Sequence, residues 1–385
     1  MIKFIKSSIF LFVILFGISN IIFAENYDTF FTSMRQIGMG GTAVAIPNDI
    51  NTLYQNPAGL ANIQNFNFNL LTAGIEINSD YISKFSTISR LNGNKDTDSI
   101  TGIIKDLAPA RLTSYSMLQA LGFGWNGFGF GFFARGKAGL NLYRPIDPYI
   151  SVNSIADTAG MIGFAPQFNI GGFKFALGAT AKYMARSILY NNRTGDENLT
   201  YGLSNIVDVV KNSKLPTDSS YCTTQGPGFD VGGLATFESF IGPKTSIGFT
   251  VKNILTQLRG VKTINGVNQS TLVTVPLGVI VGIGTSLRLP PGVIFDNCTL
   301  AIDYDAVSQY QSIFKKFHAG IEGATMGDFM KIRLGLNQGF VVGGVGLKLW
   351  FFHLDYAYNQ ESLGNGTGVG LNDNSYHALS LGIAI

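Results

Sequence analysis

From about residue 64 to the end of the chain, side chains change character at every second position. Phe173, Phe175, Leu177, Ala179, Ala181 and Tyr183 alternate with Lys174, Ala176, Gly178, Thr180 and Lys182, and Arg186 continues the polar set. A period of two marks a strand with one oily and one polar face, because successive side chains point to opposite sides. The pattern recurs: Phe128, Phe130 and Phe132 against Gly129 and Gly131, then, past Phe133, Arg135 and Lys137; Ile332 and Leu334 against Lys331 and Arg333; Leu354 and Tyr356 against His353 and Asp355; Leu379, Leu381 and Ile383 against Ser380 and Gly382. One such run fits a soluble sandwich. The whole series reads as fourteen strands, near 64–77, 113–123, 127–141, 158–170, 173–189, 227–239, 245–255, 274–288, 297–307, 314–323, 329–336, 340–347, 350–358 and 376–385.

Composition decides where the oily faces point. Charged residues are 13% of the 385, with 47 Gly, 30 Phe and 15 Tyr, against about 25% charged in soluble domains. That leaves too few charges to cover a water-soluble sphere. No segment after residue 24 offers the roughly 18 to 20 consecutive apolar residues of a membrane helix. The remaining way to satisfy every backbone group in lipid is a closed barrel, so the expected fold class is all-β, a 14-stranded antiparallel transmembrane β-barrel. A net charge of +3 points to no nucleic-acid partner.

The connections sort by length. With the first strand leaving the inner side, one end carries 78–112, 142–157, 190–226, 256–273, 308–313, 337–339 and 359–375; the other carries tight turns such as Gly124-Trp125-Asn126 and Gly171-Gly172. Long loops outside and short turns inside are the asymmetry of outer-membrane barrels. Residues 1–24, with Lys3, Lys6, an apolar run from Ile9 to Phe16 and Ala24 before Glu25, read as a signal peptide. Residues 25–63 do not alternate. The stretch from Met34 to Ala61 carries Gly38, Gly40 and Gly41 and ends in Asn56-Pro57-Ala58-Gly59, a run built for tight turns, and is expected as a compact plug inside the barrel 64–385. Cys222 and Cys298 are expected at opposite ends of the barrel, without a bridge.

Inward charges of both signs fall on neighbouring strands: Asp303 and Asp305, then Lys316, His318 and Glu322, then Lys331 and Arg333, then Asp355. Such neighbours stabilise one another across a ladder. Two loops carry helical stripes, Ile100, Ile103, Ile104 and Leu107, and Leu203, Ile206, Val207 and Val210. They either wall an apolar access site or pack on each other and the barrel rim.

Gly38-Met39-Gly40-Gly41 lacks the preceding strand and βαβ context of a dinucleotide site. His318, His353 and His377 have no metal-ligand spacing, and neither GxSxG nor a Ser/His/Asp constellation is present. The expectation is a protein that is not an enzyme, with no metal and no cofactor.

The run Arg35-x-x-Gly38-Met39-Gly40-Gly41-x-Ala43-x-Ala45-x-x-x-Asp49, followed by Asn56-Pro57-Ala58-Gly59-Leu60, resembles the N-terminal hatch of FadL-type outer-membrane transporters and of the related PorV-like proteins. Lys331 to Gly339 and Leu354 to Tyr358 are similar to that superfamily's C-terminal strands; the terminal Ile385, where an aromatic residue usually faces the barrel-insertion machinery, departs from it. The resemblance implies passive transport of hydrophobic molecules, long-chain fatty acids above all, across the bacterial outer membrane, with capture among the loops, movement against the hatch and release through the wall. On that reading Arg135, Lys182 and Arg186 are candidate carboxylate contacts. Gly129 and Gly131 are candidates for a lateral gate, unless they only make room for the plug. The alternative is a PorV-like interaction protein tied to secretion or surface attachment. Expected partners are outer-membrane lipid, hydrophobic small molecules and the insertion machinery.

Overall fold

A computed structural model describes residues 31–384 apart from 92–93, 144–145, 147, 213–215, 239–242, 290–293, 308–312 and 363–372. The expected signal peptide, residues 25–30 and Ile385 lie outside the described residues.

The strands form one continuous antiparallel sheet that closes on itself. In chain order they are β1 (Asn67–Asn78), β2 (Ala110–Trp125), β3 (Phe128–Tyr143), β4 (Tyr149–Phe164), β5 (Gln167–Ile170), β6 (Phe173–Asn191), β7 (Leu199–Gly202), β8 (Ser219–Glu238) and β9 (Lys244–Ile254). There follow β10 (Gln257–Ile264), β11 (Val267–Thr274), β12 (Gly278–Arg288), β13 (Asn297–Asp305), β14 (Phe317–Thr325), β15 (Met330–Asn337), β16 (Phe340–Leu349), β17 (Phe352–Ser362) and β18 (Asp373–Ala384). Three pairs, β4 with β5, β9 with β10 and β11 with β12, are halves of single wall strands that share their neighbours. β7 is a short addition to the first residues of β4. The wall therefore has fourteen strands, and β18 returns to β1 from Asn78↔Tyr376 to Asn69↔Ala384.

Three expected boundaries move, each for a physical reason. The strand expected at 158–170 starts at Tyr149 and is interrupted at Pro166, which has no N–H for the ladder. The loop expected at 256–273 is the hairpin β10–β11, and β8 begins at Ser219 rather than at 227. In these stretches apolar residues such as Ile150, Leu258 and Val273 pack in protein cores instead of facing lipid, so the alternation that marks a lipid-facing strand is lost.

Within the band the alternation is realised. Phe132, Ile162, Tyr183, Phe249, Ile283, Leu300, Leu334 and Leu381 are exposed on the outer face. Such a continuous apolar belt fits lipid and not water. Among the described residues no helix is long and apolar enough to cross a membrane.

The remaining elements are short helices. α1 (Met34–Gly38), α2 (Thr52–Gln55) and a 3-10 turn (Pro57–Asn62) precede the barrel, while α3 (Ser79–Ser83), α4 (Phe85–Ser89), α5 (Thr97–Leu107) and α6 (Leu203–Asn212) stand at the long-loop end. Asp96 caps α5 by accepting the Ser99 N–H at 2.8 Å, and its apolar stripe is buried. Both cysteines are free thiols.

Candidate functional site

Residues 31–63 pack against inward-facing positions all round the wall. Pro57 and Ala58 lie on Gly178 of β6, Asn56 on Gly232 of β8, Val44 on Gly248 of β9, Met39 on Gly320 of β14 and Gly40 on Gly335 of β15. At Gly178, Gly248 and Gly335 backbone presses on backbone, and at Gly232 the Asn56 side chain fills the space, which only strand positions without a Cβ permit. Gly40 (φ 71°) and Gly41 (φ 95°) turn the chain after α1 in the left-handed region. The Asn56 side chain ties the second turn: its Nδ2 donates to the Val44 carbonyl at 2.7 Å and to Gly233 at 3.2 Å, while Oδ1 accepts the Ala58 N–H at 3.1 Å. Asp49 accepts the Asn51 N–H at 2.9 Å, and Gly59 packs on Thr52 and Pro47.

Charges fasten this segment to the wall. Arg35 Nη2 and Nε donate to Glu322 at 2.9 and 3.1 Å, and Nη1 donates to the Ile46 carbonyl at 3.2 Å. Glu322 also accepts from Arg333 Nε at 2.8 Å, and Arg333 Nη1 reaches Asp355 at 2.6 Å. The expected pairing of neighbouring strands therefore holds for β14 and β15, with a second arginine arriving from the lumen, while the Arg333–Asp355 pair reaches past β16 to β17. Asp303 differs from expectation. Its carboxylate accepts the Ala43 and Val44 N–H groups at 2.7 and 2.9 Å, so it serves the lumen segment rather than a neighbouring strand. His318 Nδ1 lies 2.8 Å from the Gly40 carbonyl oxygen.

The three candidate cations have distinct surroundings. Lys182 Nζ holds Asp230 at 2.6 and 2.8 Å and Asn253 Oδ1 at 2.7 Å. Arg186 makes a two-pronged pair with Asp157, Nε to Oδ1 at 2.7 Å and Nη2 to Oδ2 at 2.9 Å. Both are cross-strand links within the wall rather than exposed carboxylate receptors. Arg135 stacks its guanidinium 4.8 Å above the Tyr115 ring.

Gly129 and Gly131 do not interrupt the wall toward β4: they pair with Gly163 and Met161. On the β2 side, Leu121 and Gly122 form a bulge opposite Gly131. A Cβ at Gly129 would run into Leu60, so this glycine makes a seat for the lumen segment.

Ile103, Ile104, Ile206 and Val207 come together, but on the outer face. They share a core with Leu112 of β2, Leu142 of β3, Ile150 of β4 and Leu199 of β7. Leu112, Leu142 and Ile150 lie an even number of positions from the exposed Leu118, Phe132 and Ile162 on the same strands. Helices α5 and α6 therefore clasp the outside of the rim and do not line a lumen access site.

A different apolar path runs through the lumen. Phe31, Leu53, Tyr54 and Leu60 form one buried cluster with Phe133, Met161, Met184 and Ile188 of the wall and with Leu258, Val273 and Val275 of β10, β11 and the residue after it. Tyr54 meets Phe133 edge-on at 5.1 Å. The far end of this cluster adjoins a seam. Between Phe229↔Ile254 and Gln225↔Arg259, residues Gly226, Pro227 and Gly228 of β8 have no register partner on β9 or β10. On its other edge β8 is fully paired with β6. Opposite the seam, Asn253 (φ 61°) and Leu255 (φ 53°) bend the strand between β9 and β10. The Lys182–Asp230–Asn253 network sits directly beside it, joining β6, β8 and β9. Sequence reading did not single out Pro227, although proline inside a strand run is itself a signal for a bulge or unpaired edge.

The fold and these contacts define a class: a fourteen-stranded barrel with a lipid-type exterior, its lumen occupied by its own N-terminal segment. No family model and no curated protein matches the chain. Among solved structures it is similar to the toluene transporter TbuX of Ralstonia pickettii, with a TM-score of 0.47, 10% identity and coverage of 93% of this chain and 98% of that one. The toluene transporter TodX of Pseudomonas putida follows at 0.45 and 9%, covering 94% and 99%. A FadL homologue of Pseudomonas aeruginosa is similar at 0.34 and 9%, covering 93% and 99%. The class itself rests on strand register and lumen contacts.

Proposed function

We propose that the chain is a bacterial outer-membrane transporter for hydrophobic compounds, with long-chain fatty acids as the foremost cargo. On this reading residues 1–24 export it, 25–63 act as a hatch and 64–385 form the barrel, with the short-turn end toward the periplasm. The observation that carries the proposal is the apolar cluster joining the hatch, through Phe133 and Met184, to Leu258 and Val275 beside the unpaired Gly226-Pro227-Gly228 seam. An apolar solute leaving by that route never meets bulk water, which favours passive transfer without a cofactor. Release through the seam replaces release at Gly129 and Gly131, and Arg135 beside Tyr115 is the lumen contact for a carboxylate.

Reconstitution into liposomes tests this. Uptake of a labelled long-chain fatty acid, and separately of toluene, is expected to exceed that of protein-free vesicles. Equal uptake for both probes rejects transport and leaves the secretion-associated interaction protein as the reading to pursue.

A further inference from the structure

The β8–β9 ladder ends in a bulge. Between Val231↔Val251 and Phe229↔Ile254, Asp230 of β8 stands opposite two residues, Lys252 and Asn253. A bulge leaves main-chain groups without ladder partners, and here a side chain takes one up: Asp230 Oδ1 accepts the Asn253 N–H at 2.7 Å. Lys182 Nζ donates both to Asp230, at 2.6 and 2.8 Å, and to Asn253 Oδ1, at 2.7 Å. Asn253 Nδ2 in turn donates to the Pro276 carbonyl at 2.8 Å, shortly before β12. Lys182 starts from β6 opposite Gly228, and its stem crosses the bare inner face of that glycine, where a Cβ would meet it at 3.1 Å. The Lys182 and Asp230 side chains are 3% and 1% exposed, so these charge-assisted bonds act away from water, where they are strongest.

We infer that Lys182, Asp230 and Asn253 are a clamp that holds the seam shut at rest, which rests on the transport reading and adds how its exit is controlled. No register pair joins Gly226, Pro227 and Gly228 to β9 or β10, so side-chain bonds set the separation there. Both flanking strands keep their other partners, β8 on β6 and β9 on β12. Parting the seam therefore breaks a few side-chain bonds and unzips neither of those ladders. The clamp lies on the lumen face, while Pro227, Phe229 and Leu255 are exposed on the outer one. The gap it controls thus opens onto lipid. The charged fastenings of the hatch, Asp303 and Glu322, lie on β13 and β14, so the clamp can let go without releasing them. In this role the three residues are positioning residues, acting on the strand edge rather than on the solute.

The test places a nitroxide on Leu255→Cys, opposite the seam, in the full chain with Cys222 and Cys298 replaced by serine. The control label is Val281→Cys, on the outer face of β12 and paired on both sides. Lys182→Met with Asp230→Leu removes both charges together, so neither is left buried alone. Asn253→Gly keeps the left-handed turn (φ 61°) and both charges while deleting the side-chain bonds to Lys182 and Pro276. Heat-modifiable migration like that of the parent shows that each variant is folded. In both variants the Leu255 label is expected to gain mobility and the Val281 label to stay as in the parent. Uptake of labelled fatty acid into liposomes is expected to rise several-fold, with leak of a small polar dye unchanged. Unchanged mobility at Leu255 overturns the clamp, and so does a raised dye leak, or uptake no faster than that of a parent that transports. A parent that carries no fatty acid rejects the transport reading instead, while the Leu255 label still shows whether the network holds the strand edge.

Discussion

A single carboxylate, Glu322, holds two arginines from different parts of the chain, Arg35 at 2.9 Å and Arg333 at 2.8 Å. Removing one member of a buried pair leaves its partners charged and uncompensated, at a cost of about 3–5 kcal/mol. Glu322→Gln is accordingly expected to lower thermal stability by about that amount and to release the N-terminal segment, read as an earlier loss of heat-modifiable migration together with leak of small solutes; unchanged midpoint and leak would remove the anchoring role. Gly178→Val tests the steric side of the same attachment. It is expected to raise leak, because a side chain there meets the Pro57 and Ala58 backbone, whereas Gly278→Ala, whose new Cβ would find only Lys252 at 3.7 Å, is expected to be silent. Alternation shows that Lys182, Arg186 and Glu322 face inward, and the structure agrees. It does not show who meets them. Asp230 and Asp157 lie 48 and 29 positions away, and a contact across strands is fixed by register, which a single strand's periodicity does not contain.

Among elements, the seam between β8 and the β9–β10 strand carries the clearest functional prediction. Gly228→Cys with Thr256→Cys, in a background with Cys222 and Cys298 replaced by serine, places two thiols across the unpaired stretch, where a Cβ on Gly228 would touch the Thr256 side chain. Oxidation is expected to reduce fatty-acid uptake several-fold and reduction to restore it. Uptake indifferent to the cross-link places release elsewhere. The helical stripes of α5 and α6 were visible in sequence, but their position was not. A stripe says that a helix has one apolar face; only the strand parity of Leu112, Leu142 and Ile150 shows that this face covers the outside of the rim. The hairpin β10–β11 stayed hidden for a related reason. Strands whose apolar residues pack in a protein core, as Leu258 and Val273 do, lose the lipid-facing contrast that makes strands legible.

At the scale of the molecule, the fourteen wall strands and their closure were readable in advance, because lipid forces every backbone group into a partner and every second side chain outward. The folded protein in detergent is expected to migrate differently before and after boiling and to give a β-type circular dichroism spectrum; identical migration with a helical spectrum would contradict the barrel. Along the chain the wall begins with β1 at Asn67, and in three dimensions the residues before it press directly on that wall. Where the N-terminal segment touches Gly178, Gly248 and Gly335, it does so through main-chain atoms. The segment is thus not portable. Grafted into another cylinder it would find side chains where it needs bare backbone, and a graft that succeeds must bring its ring of glycines along with it.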